Sequence, residues 1–416
     1  MQSIQAPRGT KDVKPEESYK WRYVEDKFIL CAQTFGYNEI RTPVFENTEL
    51  FSRGIGDTTD VVQKEMYTFN DKGGRSITLR PEGTAGSIRS YIENNLHASG
   101  APTKLCYIAS CYRYEKPQAG RLREFHQLGI ELLGSNEPEA DIEVIMLAKH
   151  FLESVGLTNL SVNVNSIGCP KCKPKYNQAL KDYFADKDIC ELCCERLDKN
   201  PMRVLDCKVD KCKEIAKGAP VMIDYLCDEC QQHFNRVTDA LKTNNIDYKI
   251  DTSIVRGLDY YTKTVFEFIA QGIGAQSTVC GGGRYDGLIE EMGGKPTGAV
   301  GFGLGVERLL LCLDKYEVDI PHAPTCDLFV ANIGDKAYDK AMEIATNLRK
   351  KGMTIETDLL KRSVKAQMKY ASKIGAKYSI VIGDTEVESG RGMLKNMQTG
   401  DTLEVELNSL SANSLK

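Results

Sequence analysis

The sequence predicts an α+β protein of two structural units, with a helical, cysteine-rich insertion inside the first. Three observations carry that expectation. Residues 1–165 mix helical and strand patterns, nine cysteines crowd between Cys169 and Cys230, and strand–helix repetition begins again after residues 321–324. A chain of 416 residues has ample core for such units.

Taken in order, residues 17–35 have amphipathic helical spacing, and 36–44 read as a turn into a strand ending near Pro43. Ser76–Leu79 is strand-like and runs through Arg80, Pro81, Glu82 and Gly83 into a helix over 84–94. Residues 104–114 and 125–133 read as two strands joined by a polar loop containing Gly and Pro, and 137–155 as a helix. Residues 166–245 are charged and mostly helical in pattern. They separate strand-like 160–165 from strand-like 248–254, which marks them as an insertion. Strand character then resumes to Val300, and the glycine-rich strand 298–305 precedes a helix over 306–313. The first unit is placed at 1–325, the insertion at 166–245 and the second unit at 326–416. In the second unit, strands at 328–333, 354–357 and 378–382 alternate with helices at 336–350 and 363–374. Short strands at 392–396 and 403–407 follow, predicting a small α/β domain with a mainly parallel sheet.

No run approaches the length of a membrane span, and the first residues (MQSIQAPRGTKD) lack an apolar signal core, so a cytoplasmic protein is expected. The formal net charge of −4 means that any nucleic-acid partner must meet local basic patches. One such patch lies between Arg349 and Lys377, with nine Lys/Arg against two acids. Arg362, Lys365, Lys369 and Lys373 recur there at helical spacing, as either a solvated face or a phosphate-contacting one.

Cys169/Cys172, Cys190/Cys193 and Cys227/Cys230 are C-x-x-C pairs, with Cys194, Cys207 and Cys212 among them. Paired knuckles supply four thiolates to tetrahedral zinc, and a cytosolic setting argues against a disulfide framework. The count fits one four-thiolate site, or two with a cysteine spare; reduced, partly buried thiols are the alternative. The six knuckle cysteines are the candidate structural zinc ligands. Only His233 lies near them, which argues against a catalytic zinc.

Four segments could carry chemistry. Residues 256–261 (RGLDYY) put one arginine, one acid and two phenols together. On a strand, Arg256, Leu258 and Tyr260 face one way, and Gly257, Asp259 and Tyr261 the other. Arg256 suits a phosphate or carboxylate, and pairing with Asp259 is its plainer use. In the hairpin at 111–131, Arg113 ends the first strand, and Gln127, Gly129 and Glu131 share one face of the second. Gly129 leaves room above the sheet, and Arg113, Arg121 and Arg123 give phosphate-binding capacity; cross-strand ion pairs are the alternative use. Glu82 and Thr84 sit at a strand-to-helix junction, as a cap or as a site for a substrate ammonium group. Glycine clusters at 281–286 (GGGRYD) and 301–308 (GFGLGVER) allow close backbone approach, tight turning or close helix packing. Neither a dinucleotide-fold G-x-G-x-x-G nor a P-loop motif occurs.

Together these segments resemble class II aminoacyl-tRNA synthetases, and among them the histidyl-tRNA synthetase family. The resemblance runs nearly end to end. It includes PRGTKD at 7–12, a motif-1-like strand ending at Pro43, the motif-2-like hairpin CYRYEKPQAGRLREFHQLGIE at 111–131 and the motif-3-like GFGLGVERL at 301–309. RGLDYY and GGGRYDGL resemble the family's two histidine-specific signatures. The resemblance implies an antiparallel catalytic sheet, a homodimer, and an anticodon-binding domain from about Asp327. It implies that histidine is activated with ATP and passed to tRNA(His). Arg113 and Arg256 would then meet the α-phosphate, Arg256 also the amino-acid carboxylate, and Arg308 the adenine and γ-phosphate side, with Mg2+ on the polyphosphate. Glu131 and Tyr261 would bond the two imidazole nitrogens, with Tyr260 and Tyr285 shaping the pocket. Glu82, Thr84 and Gln127 would take the α-ammonium group, with Gly83 also among the histidine-binding residues. Gln118, Arg121 and Arg123 would meet the tRNA acceptor end, and the basic helix near Lys365 the tRNA backbone. No residue stands out as a general base, and the adenylate phosphate is able to accept the proton in the transfer step. Zinc does not carry over, because the insertion is a variable part of the family.

Synthetase-like paralogues that regulate histidine biosynthesis without aminoacylation are the alternative. They lack the anticodon-binding part and usually the activating arginine signature. This chain keeps Arg113, Glu131, Arg256 and Arg308, and has about ninety residues after the linker, enough for a further domain. The RGLDYY and GGGRYD runs, with Glu131 in place, argue against a class II synthetase of different specificity.

Overall fold

The structure is a computed structural model that describes residues 4–56, 59–207, 209–254, 259–270, 278–322 and 326–411. It divides into two compact units, Met1–Ile320 and Pro321–Lys416. No helix among the described residues is long and apolar enough to cross a membrane.

The strands of the first unit are β1 (Asn38–Glu39), β2 (Phe45–Asn47), β3 (Thr68–Asn70), β4 (Ser76–Leu79), β5 (Thr103–Tyr112), β6 (Glu124–Leu133), β7 (Leu160–Ser166), β8 (Tyr248–Ile250), β9 (Thr262–Ala270), β10 (Thr278–Arg284) and β11 (Ala299–Gly305). Eight form one sheet in the order β1-β5-β6-β11-β10-β9-β7-β8. The six inner strands pair antiparallel, and only the edges, β1 on β5 and β8 on β7, are parallel.

Alternation decides the two faces of this sheet. Cys106, Leu128, Ile130, Leu132, Val300, Phe302, Leu304, Phe266 and Phe268 pack on one side against Val24, Phe28, Ile145, Phe151, Leu309 and Leu313. Those partners come from helices Pro15–Thr34, Pro138–Ser154 and Val306–Lys315. Each fully buried side chain of this size contributes about 1.5–3 kcal/mol, so the helix-covered face anchors the unit. The opposite face is left for the site.

The insertion is a crossover between the parallel strands β7 and β8. It holds helices Lys173–Phe184, Glu191–Lys199, Asp210–Ala216 and Asp228–Thr243. The last of these sends Phe234, Val237 and Leu241 into the main core.

Several expectations need correction. The strand ending near Pro43 shrinks to the two residues of β1. Pro43 has no N–H to continue a ladder, and the Thr42 and Pro43 carbonyls instead accept bonds from Arg80 Nη1 at 2.8 and 3.3 Å. The strand expected to Ile254 stops at Ile250, where Asp251 Oδ1 accepts the Ser253 N–H at 3.1 Å in a turn. The GGG of GGGRYD is strand β10, not a tight turn. Ser76–Leu79 is the expected strand, but its partners β2 and β3, of three residues each, and the helix Thr48–Ile55 were not anticipated.

In the second unit, β12 (Cys326–Asn332), β13 (Ile355–Thr357), β14 (Ala376–Ile382), β15 (Arg391–Asn396) and β16 (Thr402–Glu406) form a sheet ordered β13-β12-β14-β15-β16. β12 runs parallel to β13 and β14, but β14, β15 and β16 pair antiparallel, so the sheet is mixed rather than mainly parallel. The six-residue helix Asp384–Ser389 and the turn before β16 are too short for parallel crossovers. Arg362 lies before the basic helix Val364–Lys373. It pairs with Asp358 at 2.5 Å and stacks on Tyr370, leaving Lys365, Lys369 and Lys373 as the exposed row.

Arg284 of β10 is fully buried and explains why the signature's arginine is there. Its Nε lies 3.0 Å from Asp141 Oδ2, and its Nη1 reaches the Ser135 carbonyl at 2.7 Å and Asp286 at 2.9 Å. His233 Nε2 meets the same Asp141 oxygen at 3.2 Å. Arg284→Met leaves a buried carboxylate short of its main partner and is expected to cost about 3–5 kcal/mol in urea unfolding. Adding Asp141→Leu should recover part of that loss. A single-variant loss under about 1 kcal/mol would show that the pair does not anchor the sheet.

Candidate active site

The site is built on the face of the sheet turned away from those helices. Tyr107, Gly129, Gly303 and Gly281 stand in one row across four strands, and Leu105, Glu131, Gly301 and Gly283 in the next. Glycine is required sterically in this floor. A Cβ on Gly301 would overlap the Glu131 carboxylate, one on Gly303 the Gln127 amide, and one on Gly129 the Tyr107 ring. Above the floor lies a cavity of about 540 Å3.

One end of the cavity is phenolic and acidic. Glu131 is 1% exposed; Tyr107 donates to its Oε1 at 3.3 Å and Tyr285 donates to its Oε2. Burial pushes the Glu131 carboxyl up to about 8, against the opposing pull of the Tyr285, Thr84 and Tyr107 hydroxyls. Tyr260 packs against a tilted Tyr261 and edge-on to Tyr285, with ring centroids 4.7 and 5.4 Å away. Glu82 is also buried, and burial raises its pKa. Its oxygens accept the Thr84 and Ala85 N–H groups at 2.5 and 2.9 Å, which caps the helix Thr84–Glu93. The Gly83 N–H donates to Gln127 Oε1 at 2.9 Å and ties that helix start to β6.

The other end is cationic. Arg113 Nε donates to the Pro81 carbonyl at 2.8 Å, and its guanidinium lies 5.3 Å from the Phe125 ring centroid. Arg121 Nε is 2.8 Å from Glu115. Arg308, in the first turn of its helix, donates to the Thr278 carbonyl at 2.8 Å. Burial, then repulsion from Arg121, holds Arg308 below the usual guanidinium value. Crowded guanidinium groups of this kind suit a polyanion. Along β6, Glu131 and Gln127 are four residues apart, about 13 Å along the strand, so Gln127 lies between the phenolic and the cationic ends.

The cavity brings together Glu82, Thr84, Arg113, Arg121, Gln127, Glu131, Tyr260, Tyr261, Tyr285 and Arg308. Gln118 instead lines a neighbouring hollow with Lys11, Trp21 and His126. Arg123 stacks 3.8 Å from the Tyr114 ring centroid and packs against Gly9. Arg256, Gly257 and Leu258 lie outside the described residues. A strand sending Tyr260 and Tyr261 to opposite faces is not found: the chain turns at Asp259–Tyr260, and both rings line the cavity. Asp259 pairs with Arg203 at 2.9 Å.

Glu115, Asp206 and Glu267 also line the cavity, and Tyr107 supports Glu131; none was singled out from sequence. Tyr107 shares strand phase with Arg113 six residues on, a signal that was available. The six-cysteine grouping divides. Cys169, Cys172, Cys227 and Cys230 form one cluster; Cys190 and Cys193 join Cys207 and Cys212 in a second. Cys194 is left over and exposed. The short turn Pro201–Val204 returns the chain so that the two isolated cysteines complete the second set.

An antiparallel sheet flanked by helices, carrying a motif-2-like hairpin and a motif-3-like strand–helix over one polar cavity, defines a class II aminoacyl-tRNA synthetase fold. Residues 9–309 match the family model for histidyl-tRNA synthetase, and residues 327–414 that for an anticodon binding domain. The chain belongs to the histidyl-tRNA synthetase family. It is 54% identical over 408 residues to a histidine–tRNA ligase of Acetivibrio thermocellus, covering 98% of both chains. It is 55% identical over 408 residues to one of Clostridium perfringens, covering 97% of both. Among solved structures, the apo histidyl-tRNA synthetase of S. aureus superposes with a TM-score of 0.84 at 40% identity, over 98% of each chain.

The raised Glu131 pKa gives a signed pH dependence. Below the unfolded carboxyl value, near 4.5, Glu131 is neutral in both states; above about 8 the ligand-free fold must hold a buried charge. The fold therefore loses stability from this group as pH rises through that window. Glu131→Gln should gain in Tm relative to the parent as pH is raised from about 5 to 8. Parallel Tm curves would contradict the assignment.

Proposed function

We propose that this cavity performs both steps of histidine–tRNA ligation: L-histidine and ATP form histidyl-adenylate and pyrophosphate, and histidine then passes to the 3′ end of tRNA(His). The observation that carries this reading is the two-ended cavity, with buried Glu131 among phenols at one end and Arg113, Arg121 and Arg308 at the other.

At the phenolic end, an imidazole N–H donating to Glu131 favours the carboxylate that burial alone disfavours. Tyr261 takes the second ring nitrogen, and Tyr260 and Tyr285 close the slot. A side chain unable to satisfy these groups leaves them unpaired, which costs about 10⁴-fold or more in discrimination. Glu82, Thr84 and Gln127, with the Gly83 backbone beside them, receive the α-ammonium group midway. The histidine carboxylate is then directed to the guanidinium end.

There the reaction is an in-line displacement at the α-phosphate, and bringing two anions together is its main electrostatic obstacle. Arg113 neutralises the α-phosphate, with Arg256 beside it by family resemblance, and Arg308 holds the adenine and γ-phosphate side. ATP enters with Mg2+; Glu115 and Glu267, near Arg121 and Arg308, are oxygen donors of the kind that ion takes. Arg121, on the hairpin, faces the acceptor end of tRNA from the cavity, while Gln118 and Arg123 would meet it from outside. Lys365, Lys369 and Lys373 offer the second unit's phosphate contacts. The family reading also carries a homodimer and a cytoplasmic setting. The anticodon-domain match and the full-length relatives favour a ligase over a regulatory subunit.

ATP–pyrophosphate exchange without tRNA tests the activation step: exchange is expected with histidine and with no other standard amino acid. Arg113→Ala should lower that exchange by about 10²–10³ with little change in histidine KM. A raised KM at unchanged rate would move Arg113 out of the activation step.

A further inference from the structure

We propose that the insertion is a two-zinc module that positions the segment 259–261 at the phenolic end of the cavity, an assignment whose functional half rests on reading that end as the histidine pocket. The first site is Cys169, Cys172, Cys227 and Cys230; the second is Cys190, Cys193, Cys207 and Cys212. Within each set all four sulfurs lie within 4.8 Å of one another.

The spacing is that of a single tetrahedral ion. Four sulfurs at a Zn–S distance of about 2.3 Å define a tetrahedron with edges of about 3.8 Å. Cys169 Sγ lies 3.7 Å from Cys172 and 3.9 Å from Cys227, and Cys190 Sγ lies 3.8 Å from Cys207. All eight are free cysteines, so no disulfide accounts for the approach. A [4Fe–4S] cluster binds each thiolate to a different iron and a [2Fe–2S] cluster divides them in pairs over two irons, and either spreads the four sulfurs further apart than one ion does. Backbone N–H groups aim at the sulfurs as at thiolates: Cys227 N–H at Cys172 (3.1 Å), Cys190 N–H at Cys212 (3.3 Å) and Val209 N–H at Cys207 (3.5 Å). Four clustered thiolates repel one another, and a divalent cation removes that cost.

The insertion has reason to need the ions. Helices Glu191–Lys199 and Asp210–Ala216 are nine and seven residues long, too short to persist without tertiary support. Cys193 and Cys212 are themselves among the fully buried residues around them.

Both sites are also wired to the same stretch of chain. Just before Cys169, Ile167 and Gly168 exchange backbone hydrogen bonds with Lys263 at 2.8 and 2.7 Å. Just after Cys172, Lys173 Nζ donates to the Tyr261 carbonyl at 3.3 Å. Between Cys193 and Cys207, Asn200 and Arg203 donate to Asp259 Oδ1 at 3.1 and 2.9 Å. Asp206, adjacent to Cys207, reaches the cavity lining. The ions therefore take no part in the chemistry; they fix the arms that hold Asp259, Tyr260 and Tyr261.

Elemental analysis of the full chain purified without chelator should give two zinc per chain, and Cys193→Ser and Cys230→Ser should each remove one. Fewer than two zinc in the parent chain, or iron in their place, overturns the proposal. Stripping zinc with a chelator should raise the histidine KM about ten-fold or more while the ATP KM changes little. Arg203→Gln, which keeps all eight cysteines, should show the same histidine-selective rise. An unchanged histidine KM in stripped enzyme overturns the positioning role. Two zinc per chain without histidine-dependent exchange would count against the histidine pocket and leave the zinc sites standing.

Discussion

Burying a carboxyl group at 1% exposure, as the sheet does with Glu131, carries a free-energy cost that only hydrogen bonds or a ligand offset. The rest of the catalytic unit is arranged around that cost. The glycines of β6 and β11 are required because a Cβ at Gly129, Gly301 or Gly303 would collide with Tyr107, Glu131 or Gln127. Tyr107 and Tyr285 supply part of the missing solvation, but not enough to keep the carboxyl acidic. On the proposed reading an imidazole N–H completes it, and an aliphatic side chain of similar size does not. On that reading, selectivity and the cost of burying Glu131 share one origin.

The same sheet separates recognition from chemistry. Its helix-covered face supplies the packing, with Arg284 and Asp141 locking β10 to the helix Pro138–Ser154. Its open face carries buried Glu131 among phenols at one end and guanidinium groups at the other. Because the inner strands pair antiparallel in fixed register, a one-residue slip would turn Glu131 into the core and bring Leu132 to the floor. The distance between the two ends is therefore held by backbone hydrogen bonding, which is stiffer than any loop.

Much of this was legible in the chain. The shared phase of Gln127, Gly129 and Glu131 showed the floor, and the strand-to-helix junction at Glu82–Thr84 appears with the expected cap. What was not legible depended on contacts across the sequence. Nothing local marks Asp206 as a cavity residue or pairs Cys190 with Cys207, since both depend on how a short turn folds back. Arg123 and Gln118 sit on the hairpin outside the cavity, Arg123 stacked on Tyr114 and Gln118 just before the turn at Gly120, a division the sequence does not mark. The tight geometry at Asp259–Tyr260 likewise overrode the alternation that a strand would have imposed.

The central claim, that a buried Glu131 reads the imidazole ring, is tested most directly by 15N NMR of ring-labelled L-histidine bound to the full chain near neutral pH. The account predicts that both ring nitrogens leave their free-solution positions and settle into one tautomer, with the N–H directed at Glu131. Bound histidine that keeps the tautomer average of the free amino acid would contradict it.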